Sequence, residues 1–286
     1  MDVVAVSPRA GVEVRGLDLR DPIDDPTADE LRSLLAVHRL LIFRGQRIEA
    51  SQQIRIAGVF GECVDEGGDG AGHVFLSNAR DDGVLAHGRP LLFHSDNVFT
   101  PEPLSVVSLY MARLDGDNAP TRFADAEHAA TLLDDARRSE LRDASALFLS
   151  GFAGGSYRYR DAEVEPHHPR AVHPVVMTNP RSGRDMVLVS EQQTDRIIGW
   201  DADRSEAMLQ HLFGLLYAAD NVVTHAWREG DLCVWDNLAL QHGRPGIGPG
   251  ERTLRRVAAA PDARGQRAWS AVSLAAEAAE RAGRSA

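Results

Sequence analysis

The 286-residue chain contains no lysine, so all 31 of its basic residues are arginine. That absence excludes chemistry that needs an amine side chain: Schiff bases, pyridoxal phosphate attachment, and the lysine of a phosphate-binding loop. Cysteine is scarce too. Cys63 and Cys233 stand far apart, which leaves no disulfide framework and no cysteine-rich zinc pattern. Cys233 lies in an apolar run and reads as a small core residue. Positive charge is in deficit, with 42 acidic residues against 31 basic ones and a formal charge of −11. Such a chain is a poor match for nucleic acid phosphates. No apolar run approaches the roughly 18 residues of a membrane span, and the acid- and arginine-dotted N-terminus does not resemble a signal peptide. The expectation is a cytoplasmic protein without nucleic acid or membrane partners.

What is present is an ordinary globular composition, 43% hydrophobic and 26% charged. The alternation in GVEVRGLDLR predicts a strand pair turning at Gly16. Leu31, Leu34 and Leu35 predict a helix opening at Pro26-Thr27, and residues 51–59 a second one; Leu40 to Phe43 between them reads as a buried strand. Residues 61–72, rich in Gly, Asp and Glu, predict a mobile surface loop. Further strands are expected at 74–77, 91–94, 105–111, 172–178, 186–189, 222–226, 231–236 and 253–260, interrupted by helices near 124–141 and 202–219. Many short strands with flanking helices predict a mainly β protein with a sandwich or barrel core. The chain reads as one domain over residues 1–286, with an Ala/Glu/Arg-rich tail fraying from 267.

Most of the eleven histidines fit turns or core packing. His94 and Asp96 differ, because at i, i+2 a strand projects both side chains from one face. They supply two-thirds of a 2-His-1-carboxylate set, which suits ferrous iron and leaves coordination sites open. His242, at the end of GDLCVWDNLALQH, is the best third ligand. A Gly/Pro-rich connection and a returning strand would then bring Arg252 beside His242, where its planar fork could hold a carboxylate. For Arg255 a solvated edge strand is the preferred reading.

These segments, with AGVEVRGLDL, LLIFRGQ, FHSDNVFTPEPLSVVSLYMAR, HPVVMTNPRSGRDMVLV and WREGDLCVWDNLALQHGR in order, resemble the taurine dioxygenase (TauD/TfdA-like) family of Fe(II)- and 2-oxoglutarate-dependent oxygenases. The resemblance implies a double-stranded β-helix, or jelly roll, with Fe(II), 2-oxoglutarate and O2 as cofactor and cosubstrates. It implies His94, Asp96 and His242 as metal ligands. It also implies Thr121 and Arg252 on the distal carboxylate of 2-oxoglutarate, and Arg256 near the cosubstrate or gripping a substrate anion. A homodimer or homotetramer is implied as well. The segment RLDGDNAPTRF departs from the family's usual Pro-x-Gly-Gly-Asp-Thr, and Pro90 stands where taurine enzymes have an asparagine. The 61–72 loop lacks their histidine and tyrosine, so taurine is not the expected substrate.

The implied reaction is oxidation, by default hydroxylation, of an unactivated C–H bond in a small molecule, releasing succinate and CO2. Oxidative decarboxylation and desaturation use the same site, and the carboxylate at 96 argues against halogenation. If Asp65 or Glu66 met a cationic group and Arg256 a carboxylate, the substrate would be an amino-acid-like or specialised metabolite. A non-catalytic jelly-roll binding protein and a zinc hydrolase remain as alternatives, the latter lacking an evident general base.

Overall fold

The computed structural model describes residues 1–84, 88–116, 119–150, 156–164, 166, 168–264 and 266; the tail expected to fray from 267 lies outside them. Two sheets dominate. Across the larger one run Asp2–Ala5, Val12–Arg15, Leu40–Phe43, Leu232–Asp236, Val106–Leu114, Arg252–Ala260, Val74–Ser77 and Gly83–Val84, and Glu62–Cys63 joins the end of Arg252–Ala260. The smaller one orders Val222–His225, Thr121–Asp125, Leu240–Arg244 and Leu91–His94. Their inner faces meet through Phe123, Val223 and Leu240 on one side and Leu109, Trp235 and Leu254 on the other. The Phe123 and Trp235 rings meet edge-on at 5.4 Å, a favoured aromatic geometry. Two mostly antiparallel layers closed over an apolar filling make a jelly-roll core with flanking helices, as expected.

The apolar run Leu40–Phe43 is explained by burial on both faces. Leu40 and Ile42 point between the sheets, whereas Leu41 and Phe43 pack outward under Leu31, Leu35 and Ile56, which belong to the helices Asp25–His38 and Ala50–Gly58. A second core gathers around the helix Ala202–Leu216, through Leu209, Leu212 and Leu216. Four helices begin on an aspartate whose carboxylate accepts the amide three residues on: Asp24, Asp125, Asp134 and Asp201. Among the described residues no helix is long and apolar enough to cross a membrane.

Several expectations need correction. Val12–Arg15 does not turn back at Gly16. It pairs with Asp2–Ala5 and runs parallel to Leu40–Phe43, while Leu19 is held in a turn by the Gln46 side chain. The helix expected near 124–141 is split, because Thr121–Asp125 is a strand and each of the two short helices after it starts on its own aspartate cap. The strands Ser145–Leu149 and Thr194–Ile197 escaped the periodicity reading. Residues 61–72 are not wholly a surface loop, since Glu62–Cys63 pairs with Ala259 and Ala260 and Glu66 is buried. Arg255 lies on an inner strand, buried, donating to Gln53 and to the Ile48 carbonyl.

His242 and Arg252 are on different sheets, not on one hairpin. The strand of His242 is reached through a corner built by Asp236, whose carboxylate accepts the amides of Leu238 and Ala239, each at 3.0 Å. The chain leaves the larger sheet there and re-enters the smaller one at Leu240.

Candidate metal centre

His94 closes the strand Leu91–His94 and lies in register with His242 on the neighbouring strand. Sheet pairing therefore sets the two imidazoles side by side, with ring centroids 4.3 Å apart. Asp96 sits beyond the strand end, in the turn that follows, so strand alternation is not what aims it. Asn237 fixes its backbone instead. The Asn237 side-chain Oδ1 accepts the Asp96 amide at 2.8 Å, and its Nδ2 donates to the main-chain carbonyls of Asp96 at 3.0 Å and Leu104 at 2.8 Å. The outcome is a cluster in which one donor atom from each of His94, Asp96 and His242 lies within 4.8 Å of the others.

The donor chemistry fits a divalent metal. His94 Nε2 is 3.7 Å from one Asp96 oxygen and His242 Nε2 is 3.5 Å from the other, too long for hydrogen bonds. Bonds of about 2.1 Å at right angles around one ion would set donors about 3 Å apart, close to this spacing. His94 Nδ1 lies 2.8 Å from the Leu92 carbonyl, which can only accept. The proton is therefore on Nδ1, and the Nε2 lone pair faces the cluster. Burial pushes His242 down to about 3, reinforced by His94, and burial lowers His94 as well. Both rings are neutral and able to coordinate. Burial works against the Asp96 carboxylate, but the Arg256 guanidinium outweighs it and holds its carboxyl well below the usual range.

Arg252, Thr121 and Arg256 line the same cavity of about 50 Å³. Arg252 is only 4% exposed, and among the described residues no carboxylate pairs with it; its Nε reaches the Ala119 carbonyl at 3.3 Å. Burial, with Arg244 beside it, lowers its pKa to about 9, which still leaves it charged at neutral pH. A buried guanidinium without an anion is costly, so this wall of the cavity is built to receive one. The Thr121 hydroxyl accepts from Trp227 Nε1 at 3.0 Å, which leaves its own proton to donate.

Arg256 is placed otherwise than the sequence suggests. Its Nε and Nη2 donate to the two oxygens of Glu66 at 2.8 and 3.0 Å, and its Nη1 donates to Asp96 at 2.7 Å. Glu66 and Arg256, expected to meet opposite ends of a substrate, thus meet each other. Asp65 accepts the amides of Gly68 and Gly70 in its own loop. Sequence reading missed Asn237, Trp227 and the Glu66–Arg256 pair. Each acts across more than a hundred residues of chain, and no local pattern signals it.

The comparisons with known proteins agree with this geometry. The profile of the family described as "Taurine catabolism dioxygenase TauD, TfdA family" matches residues 3–258. Pentalenolactone F synthase of Streptomyces avermitilis is 27% identical, over 90% of this chain and 92% of its own length. The (S)-phenoxypropionate/alpha-ketoglutarate-dioxygenase of Delftia acidovorans is 28% identical, over 81% of this chain and 85% of its own. Among solved structures, AAD-2 in complex with Mn(II) and N-oxalylglycine superposes with a TM-score of 0.77 at 25% identity, covering 91% of this chain and 98% of that one.

Proposed function

The chain belongs to the taurine catabolism dioxygenase TauD, TfdA family and is an Fe(II)/2-oxoglutarate-dependent dioxygenase; from that premise we propose that it hydroxylates an unactivated C–H bond of a small molecule, releasing succinate and CO2. His94, Asp96 and His242 are the proposed iron ligands, and Arg252 with Thr121 the proposed clamp on the far carboxylate of 2-oxoglutarate. The observation that carries this reading is the buried Arg252, without a carboxylate partner among the described residues, in the same cavity as the triad. A structural metal site would have no use for that cation.

The metal and its cosubstrate supply the O2 activation that no side chain can perform. The protein's own part is orientation and exclusion of water. The Leu92 carbonyl fixes the His94 tautomer, and Asn237 fixes the Asp96 backbone. Arg256 holds one Asp96 oxygen, leaving the other to face His94. Trp227 turns the Thr121 hydroxyl so that its proton is free for a carboxylate beside Arg252. The apolar side chains of Leu76, Leu91, Leu109 and Leu254 line the remaining wall and keep water from the reacting centre. The Glu66 form of the amino-acid-like reading loses its basis, because Glu66 and Arg256 neutralise one another.

The test is anaerobic titration of the protein with Fe(II) and 2-oxoglutarate. The expected result is a weak visible metal-to-ligand charge-transfer band that is lost in His94→Ala. Absence of the band in folded wild-type protein would overturn the assignment.

A further inference from the structure

Every polar edge of Arg256 that faces a carboxylate is already used. Glu66, 7% exposed, takes the Nε/Nη2 edge in a two-point pair, and Asp96 takes Nη1. The arrangement is built into the backbone. Glu62–Cys63 pairs with Ala259 and Ala260, and the Val64 amide donates to the Ala258 carbonyl at 2.9 Å. The segment leading to Glu66 is thus zipped onto the strand that carries Arg256, and the Asp65 carboxylate ties down the turn that follows.

The charge inventory of the cavity then has few open places. Arg252 has no carboxylate partner among the described residues and is accounted for by 2-oxoglutarate. Arg244 donates to the carbonyls of Arg89 and Pro245. Arg256 is one cation facing two carboxylates. Much of the remaining lining is aliphatic, with Leu76, Leu91, Leu109, Ile247 and Leu254. An acid arriving at Arg256 would either face Glu66 at close range or displace it, leaving a buried carboxylate unpaired.

We propose that Glu66 is a specificity-determining residue: it occupies the anion-binding edge of Arg256, so the substrate of this oxygenase is an uncharged, largely apolar molecule with no acidic group at the end beside Asp96. The proposal rests on the dioxygenase reading above and names the substrate class of that same site. It also explains why an acidic side chain can be buried next to a metal-ligating carboxylate: the arginine between them neutralises one and orients the other.

The test uses the anaerobic Fe(II)·2-oxoglutarate complex of the full chain, in which the cosubstrate occupies Arg252. Methanesulfonate is the probe, an anion that coordinates metals weakly and so reports on Arg256 instead of the iron. The charge-transfer band is the readout. In the wild type the band is expected to stay unchanged through the titration. In Glu66→Gln, and in Glu66→Ala where no side-chain oxygen remains to hold Arg256, a saturable shift is expected, while the wild type shows none up to at least about ten times the variants' apparent Kd. Equal response in wild type and variants overturns the proposal, and so does a silent band in both variants. Formation of the band reports that each protein is folded and loaded. If one variant fails to form it, the other carries the test, and a saturable wild-type response overturns the proposal without either. Failure of the wild type to form the band sinks the iron reading instead, which separates the two failures.

Discussion

Two clusters of buried charge can be compared in this molecule. One joins Arg39 to Asp125 at 2.9 Å and to Glu127 at 3.3 Å, Glu127 to Asn179, Ser182 and Arg184, and Asp236 to Arg181 and Asn179. The other holds His94, Asp96, His242, Arg256, Glu66 and Arg252. The first borders a cleft of about 640 Å³, far larger than the cavity of about 50 Å³ at the second. Size points to the wrong place. In the first cluster each carboxylate is met by a guanidinium or an amide, and the group ties Arg39, at the end of a helix, to the corner made by Asp236. In the second, donor atoms of His94, Asp96 and His242 converge within 4.8 Å, and among the described residues no carboxylate pairs with the buried Arg252. Convergent donor atoms and a buried arginine left without a protein carboxylate, not burial or volume, distinguish a site from a brace.

Variants can sharpen or break that contrast. The largest effect is expected from Glu127→Ala, which strands Arg39 and Arg184. Breaking a buried pair costs about 3–5 kcal/mol, so urea denaturation should show a loss of that size while the Kd for 2-oxoglutarate stays as in the wild type. An altered Kd would mean that the first cluster is not merely a brace. Arg252→Gln should do the reverse. The KM for 2-oxoglutarate is expected to rise about 30-fold or more, equivalent to roughly 2 kcal/mol for a truncated buried charge pair, with stability unchanged or improved because the lone buried cation is gone. An unchanged KM would remove Arg252 from the cosubstrate site.

Acid should expose the difference next. Burial holds His242 down at about 3 and lowers His94, whereas an unfolded chain protonates histidine below about pH 6.5. The unfolded state then binds more protons, so the stability of the metal-free protein rises with pH up to that value and falls as pH drops below it. His242→Gln should flatten the slope between about pH 7 and pH 5 in denaturation midpoints; a slope equal to that of the wild type would count against burial as the cause. The smallest effect belongs to Trp227→Phe. Losing one donor to Thr121 should raise the KM for 2-oxoglutarate by no more than about tenfold, since a single neutral hydrogen bond contributes about 0.5–1.5 kcal/mol.

Much of the fold was legible in local pattern. The Leu40–Phe43 run, the leucine spacing of Asp25–His38 and the strands at 74–77 and 91–94 all appear where periodicity and composition put them. Thr121–Asp125 did not, because its sequence TRFAD carries no alternation that a short strand needs to be seen, and its last residue doubles as a helix cap. The Gly16 turn misled for the opposite reason. Alternation reports which side chains are buried, and Leu19 is buried without belonging to a strand.

By itself the sequence determined the chemical inventory: arginine as the only strong cation beside the acids, a His-x-Asp pair, a distant His242 and Arg252, and a pattern that reads as a β core. It did so because residue type and short-range spacing are written along the chain. Tertiary structure alone decided the charge state of the cavity. Whether Arg256 faces a substrate or Glu66, and whether Arg252 is paired or bare, depends on contacts made across sheets and across as many as 190 residues of chain. The energies of those contacts are set by burial and by what else lies within a few ångströms, neither of which a linear sequence contains.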